Sequence, residues 1–132
     1  GRHFAGNVLE DYDYDTWYFG GHSLGGAMIA DYAADHIEDV DGLLLLAAYP
    51  TKDLSDANIS AVTIYGSEDG ILHMDKVVEG RDLLPEGSVE ICIEGGNHAQ
   101  FGSYGEQKGD GQATISGEEQ RRQTVEAFLK YR

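Results

Sequence analysis

Three residue types in this chain could together perform nucleophilic catalysis, and each follows a predicted strand. Ser23 lies in the range 21–25, which reads Gly-His-Ser-Leu-Gly; Asp69 and His98 follow later strands, in that chain order. A serine hydroxyl becomes a strong nucleophile only when a base takes its proton, and imidazole titrates in the right range for this. A carboxylate on the other ring nitrogen fixes the tautomer and stabilises the imidazolium. The three residues therefore predict a Ser-His-Asp triad.

The pattern G-x-S-x-G is typical of a turn from a strand into a helix that presents a serine hydroxyl at the edge of a sheet. Gly21 and Gly25 relieve crowding at this turn, and Gly26 allows the helix to pack closely on the strand. The backbone N–H of Leu24, at the start of the helix, would point at a developing oxyanion. His22 should point away from the hydroxyl and pack beside the site. The serine alone could instead be a helix N-cap.

The acid and the base have alternatives as well. Glu68 is a competing acid, and Asp69 could be only a turn residue before Gly70. His98 could be a loop residue without a role, although no other histidine follows a late strand.

No metal site is expected. Three further histidines lack the spacing of metal ligands: His3, His36 and His73. Asp110 lies between two glycines, which faintly suggests a calcium turn, although a hydrogen-bonded loop turn is the more common meaning of this pattern.

Strand signals alternate with helix signals along the chain. The predicted strands are 16–20, 42–48, 61–66 and 88–93, and the predicted helices are 24–36, about 73–84 and 118–131. The second strand is a continuous apolar run, as expected when both faces of a sheet are covered. We therefore predict a single α/β domain over 1–132, with a parallel sheet of about four strands flanked by helices. Ligands bind at the carboxyl ends of such strands, where the three residues fall.

A glycine-rich connection, 94–116, is longer than most loops and suggests a functional role. Phe101 and Tyr104 in this loop, and Tyr49 after the second strand, are candidate substrate contacts. The alternative is that the loop aromatics only anchor the loop.

The composition limits the partners. The chain has 132 residues and a net charge of −15, which repels phosphate backbones and anionic membranes, so nucleic-acid binding is not expected. A small neutral or cationic acyl substrate suits this charge better than an anionic one. No run is long enough to span a membrane. The cytoplasm is the favoured compartment, and a secreted or membrane-tethered parent protein is the alternative. The single cysteine, Cys92, should be a buried thiol in a strand.

The chain resembles the α/β-hydrolase superfamily, in particular its bacterial esterase-like branch. The similar stretches are 21–26 (Gly-His-Ser-Leu-Gly-Gly), 45–50 (Leu-Leu-Ala-Ala-Tyr-Pro), 65–70 (Tyr-Gly-Ser-Glu-Asp-Gly) and 95–102 (Gly-Gly-Asn-His-Ala-Gln-Phe-Gly). The resemblance implies a serine hydrolase that acts on carboxylic esters or related acyl compounds without a cofactor. It makes Ser23 the nucleophile, Asp69 the acid, His98 the base and Leu24 the donor of one oxyanion hydrogen bond.

The resemblance covers only the C-terminal half of that fold, whose complete sheet has eight strands. The loop that supplies a second oxyanion donor in the family does not precede Ser23, and the loss of one donor costs roughly 10²–10³ in rate. A catalytically weak or silent interaction domain is therefore the alternative function, and another acyl chemistry on the same triad is a third. Strand 16–20 would also be an apolar edge, which we expect residues 1–15, a second copy or a missing N-terminal segment to cover.

Overall fold

In the described part of the chain, four parallel strands form one sheet, in the same order in space as along the chain. They are β1 (Tyr18–His22), β2 (Gly42–Leu46), β3 (Ser60–Gly66) and β4 (Val89–Ile93). A computed structural model provides this fold and describes residues 17–103 and 105–132. In the pairing register Tyr18 lies beside Gly42, and Gly42 beside Ser60. Because all the strands run the same way, their carboxyl ends share one edge, as the sequence predicts.

The helices are α1 (Leu24–Asp35), α2 (Met74–Gly80) and α3 (Gly117–Tyr131), with short 3₁₀ turns at Ile37–Asp39, Arg81–Leu83 and Ala99–Phe101. The helix predicted at about 73–84 is thus shorter, since its last turn tightens into a 3₁₀ turn after Gly80. A Cβ on Gly80 would lie 3.1 Å from the Pro50 ring, so the close packing of this turn on the loop after β2 favours glycine at position 80. The predicted cap of α3 is confirmed, because Ser116 Oγ accepts the N–H of Glu119 at 3.0 Å.

Apolar side chains cover both faces of the sheet. On one face α1 buries Ile29 and Ala33 against a cluster that includes Leu43 and Leu45 of β2. On the other face a second cluster holds Ile64, Ile93 and Phe101, with Leu44, Leu46 and Ala127 of α3 packed against it. The alternating leucines of β2 serve both clusters, which explains why this strand is apolar throughout.

The prediction that Cys92 is buried is wrong, because the thiol is exposed. β4 is an outer strand of the sheet, and its Ile91 and Ile93 face the cluster around Phe101. Cys92 alternates with these residues and therefore faces the opposite side, at the margin of the sheet.

β1 is the other outer strand and pairs only with β2 among the described residues. Residues 1–15, one of its predicted covers, lie outside the described part of the chain, so the cover of this edge stays a prediction. Within residues 17–103 and 105–132, no helix is long and apolar enough to cross a membrane.

Candidate active site

The carboxyl edge of the sheet brings the three predicted triad residues together. Ser23 follows β1, Asp69 follows β3 and His98 follows β4. His98 Nε2 lies 2.9 Å from Ser23 Oγ, and His98 Nδ1 lies 2.7 Å from Asp69 Oδ2. With Nδ1 protonated, His98 donates to the carboxylate, and its Nε2 can accept the serine proton. Such an arrangement can supply a nucleophile, a general base and a group that orients the base.

The turn at Ser23 is strained and closely packed. Ser23 has φ 58° and ψ −125°, and its N–H donates to the carbonyl of Leu46 at 2.8 Å. A Cβ on Gly21 would lie 2.8 Å from the Gly25 carbonyl, so glycine is required at that close approach. The expectation that Gly25 also relieves crowding is wrong, because a Cβ on Gly25 would have open space around it. Ser23 occupies the N-cap position of α1, but its side chain makes no capping hydrogen bond to that helix and contacts His98 instead. The hydroxyl is therefore held toward the base.

The first N–H groups of α1 lie next to the serine. Leu24 begins the helix, and the first N–H groups of an α-helix have no intrahelical partner. They also carry the positive end of the helix dipole. The N–H of Leu24 can thus donate to an oxyanion that forms at Ser23. Leu24 itself is 74% exposed.

Asp69 is held as a carboxylate that orients His98. Its Oδ1 accepts the N–H groups of Ile71 and Leu72, at 2.8 and 2.7 Å. Burial alone would raise the pKa of Asp69, but the hydrogen bonds from His98 and from the two N–H groups outweigh it and hold the pKa below its usual value. The competing acid, Glu68, is exposed and accepts a hydrogen bond from Ser67 Oγ.

His22 packs beneath the base, as predicted. Its Nε2–H donates to the backbone carbonyl of His98 at 2.8 Å, and the two rings lie 4.8 Å apart. Burial, followed by the charge of the nearby His98, lowers the pKa of His22. A neutral His22 can support His98 without adding a positive charge beside it.

Gln120 of α3 holds the segment before His98, a role that the sequence analysis did not predict. Its side chain is fully buried, with Oε1 accepting the N–H of Asn97 at 3.0 Å and Nε2 donating to the Asn97 carbonyl at 2.8 Å. In the sequence Gln120 is one of several polar residues at the start of a surface helix. Its two hydrogen bonds are both made to Asn97, which lies in a loop 23 residues earlier in the chain.

The remaining candidates have different surroundings. Phe101 is 8% exposed and its ring lies 5.7 Å from that of His22, so it anchors the loop. Tyr49 is half-buried after β2, beside Gly80. Tyr104 and His3 lie outside the described residues. His36 Nδ1 lies 2.9 Å from the Tyr32 carbonyl, and His73 is exposed at the start of α2.

The Gly-Asp-Gly sequence around Asp110 forms a loop turn held by hydrogen bonds, which is the more common of the two interpretations of this pattern. Its carboxylate accepts backbone N–H groups, among them that of Ala99 at 2.9 Å. In the part of the chain that the structure describes, no three His, Cys, Asp or Glu side chains are grouped so that they could hold a metal ion.

Comparisons with known proteins agree on the type of fold. The sequence profile described as the alpha/beta hydrolase family matches residues 1–122. A predicted CIB-like hydrolase from Thermoplasma acidophilum has a similar crystal structure, with a TM-score of 0.65 and 21% sequence identity. The match covers 96% of this chain and 56% of that one, so the chain spans little more than half of that hydrolase. No curated protein matches the sequence.

Proposed function

Because the chain belongs to the alpha/beta hydrolase family, we propose that it is a serine hydrolase that cleaves carboxylic esters or related acyl bonds. Membership in the family supports hydrolysis as the type of reaction. The observation that carries the finer proposal is the continuous set of contacts from Ser23 Oγ through the His98 ring to Asp69, at 2.9 and 2.7 Å.

The proposed reaction has two halves. Ser23 Oγ attacks the acyl carbon while His98 Nε2 takes the serine proton, and the carbonyl oxygen becomes an oxyanion that accepts the N–H of Leu24. His98 then gives its proton to the leaving alkoxide, which departs as the alcohol and leaves an acyl-serine ester. Water, deprotonated by the same imidazole, attacks this ester, and His98 returns the proton to Ser23 as the acid is released.

Asp69 acts through His98 in both halves. Its carboxylate keeps the proton on Nδ1, so that Nε2 is free to accept, and it stabilises the imidazolium that forms after each proton transfer. The two backbone N–H groups on its other oxygen hold the carboxylate in place. The lowered pKa of Asp69 keeps its carboxylate charged at neutral pH.

Labelling by a fluorophosphonate probe tests the nucleophile. Wild-type protein should be labelled on the peptide that contains Ser23 and should hydrolyse p-nitrophenyl acetate, and Ser23→Ala should do neither. Ser103→Ala is the matched control, because Ser103 is an exposed loop serine outside the triad. Equal labelling and turnover in wild type and Ser23→Ala would overturn the proposal. A folded wild type without either activity would favour the interaction domain.

The charge of the protein suggests how substrates are selected. A net charge of −15 attracts cations and repels anions. We therefore expect a choline ester to have a higher kcat/KM than an ester of similar size that bears a carboxylate. The preference should weaken as salt rises, because salt screens the field. A preference that does not change with salt would point to the shape of the pocket instead.

A further inference from the structure

We propose that Asp110 is a positioning residue for the triad, and that its carboxylate fastens the turn that bears the acid to the loop that bears the base. This inference rests on the proposed function, because it assigns a role in the same site. Asp110 does not touch the reacting atoms. It acts on the backbone that carries Asp69 and His98.

The hydrogen bonds of Asp110 reach both segments. Oδ1 accepts the N–H of Gly70, the residue after Asp69, and the N–H of His98, each at 3.1 Å. Oδ2 accepts the N–H of Ala99 at 2.9 Å. The N–H of Gly111 adds a fourth, local contact at 2.9 Å. One carboxylate thus joins the residue beside the acid to the base itself.

Close backbone packing brings Asp110 within reach of the acid turn. A Cβ on Gly70 would lie 2.5 Å from the Gly109 carbonyl oxygen, and a Cβ on Gly111 would collide with the carbonyl of Glu68. The turn 109–111 therefore lies directly on the turn 68–70, with no side chain between them. This contact requires glycine at 70 and at 111. Gly109 has open space around it, but its φ of 89° favours glycine there, so the two glycines beside the aspartate have different causes.

Apart from His22, which donates to the His98 carbonyl, the other supports of this loop hold neighbours of His98. Ser67 Oγ accepts the N–H of Gly95 at 2.8 Å, and Gln120 brackets Asn97. The N–H of His98 itself donates to Asp110. Hydrogen bonds to a charged acceptor are roughly twice as strong as neutral ones. Because this carboxylate already accepts four N–H groups, it is better suited to holding the backbone than to binding a cation.

Removal of the carboxylate should therefore slow turnover. In Asp110→Ala both segments lose their common acceptor, and a shift of about 1 Å in catalytic geometry can cost roughly 10²-fold in rate. We expect kcat for p-nitrophenyl acetate to fall by about 10- to 100-fold, with a much smaller change in KM. Asp110→Asn keeps one acceptor oxygen and should recover part of the loss. Asp53→Ala is the matched control, since the Asp53 carboxylate also accepts a backbone N–H, but from Ser55 two residues away.

A proton NMR measurement separates positioning from mere stability. The Nδ1–H proton of His98, bonded to Asp69, should give a far-downfield signal in wild type and in Asp53→Ala. We expect this signal to be lost through exchange in Asp110→Ala and present in Asp110→Asn, at temperatures where circular dichroism shows all four proteins folded. If Asp110→Ala does not fold, kcat and the downfield signal are measured on Asp110→Asn instead. Its kcat should then lie between that of wild type and that of an inactive protein.

The outcomes distinguish the two proposals. A folded Asp110→Ala, or Asp110→Asn in its place, with wild-type kcat and an unchanged downfield signal would overturn the role of Asp110 and leave Ser23 as the nucleophile. Wild-type turnover that survives Ser23→Ala would instead remove the proposed function. The NMR signal would then still show whether Asp110 positions the His98–Asp69 pair.

Discussion

Ser23→Gly should give a more stable protein than Ser23→Ala, because the backbone at this position carries strain that glycine relieves. Ser23 has φ 58° and ψ −125°. This combination crowds the Cβ of an L-residue, whereas glycine adopts it freely. Both variants lose the contact between Oγ and His98 Nε2. The difference between them therefore isolates the effect of the Cβ atom.

The size of the difference follows from two opposing terms. A non-glycine residue in such a conformation costs about 1–3 kcal/mol in the folded state. Glycine gives back roughly 0.5–1 kcal/mol, because it gains more freedom than alanine in the unfolded chain. We expect a net advantage of about 1 kcal/mol for Ser23→Gly. For a chain of this size that is roughly 3–5 °C in Tm.

Urea unfolding followed by circular dichroism measures the difference directly. Ala34, inside α1, provides the control at a helical backbone, where Ala34→Gly should lose about 1 kcal/mol. The preference for glycine over alanine should thus have opposite signs at the two positions. Both Ser23 variants should be inactive. If Ser23→Ala is as stable as Ser23→Gly or more so, the strain argument is refuted, and the turn is held without cost to the fold.

Three other perturbations have expected signs. Gly26→Ala should lower the free energy of unfolding by about 2 kcal/mol or more, since the new Cβ would lie 2.6 Å from an alanine Cβ. Gly25→Ala should not lower it, because its new Cβ would have open space around it. Urea midpoints measure both variants. The lowered pKa of Asp69 contributes stability that is present above its unfolded-state pKa of about 3.9 and is lost as pH falls through the folded-state pKa. The unfolding free energy should therefore fall more between pH 7 and pH 3 in wild type than in Asp69→Asn, and equal slopes would contradict this. Thr63→Val should be neutral or stabilising by up to about 1 kcal/mol, because the buried Thr63 hydroxyl has no partner among the described residues. Thr124→Val removes a buried 2.8 Å hydrogen bond and should be destabilising in the same assay.

The fold could be predicted because its signals are local. The apolar run of β2 and the glycines around Ser23 each depend on neighbouring residues only. The parallel arrangement then brings the residues that follow the strands to one edge of the sheet, where the chain order of Ser23, Asp69 and His98 predicts a triad. The structure places them in contact without further assumptions.

The parts that the sequence did not reveal depend on contacts between distant segments. Asp110 meets Gly70 across 40 residues, and Gln120 meets Asn97 across 23. No periodicity or spacing encodes such contacts. The glycines on either side of Asp110 were the one available signal, and they are equally typical of an ordinary turn. The exposure of Cys92 could not be predicted, because an apolar strand pattern does not reveal that the strand lies at the edge of the sheet.

The position of His98 explains the long loop that follows it. Ser23 and His98 follow the two outer strands, β1 and β4, which lie three strand spacings apart, or roughly 14 Å. The chain after β4 must therefore fold back across the ends of β3 and β2 to bring the imidazole to the hydroxyl. A segment that leaves its own strand in this way cannot be held by the sheet, so it needs supports of its own. His22 supplies one from β1 and Gln120 another from α3, while the glycine-rich connection returns to place Asp110 on the backbone of the base.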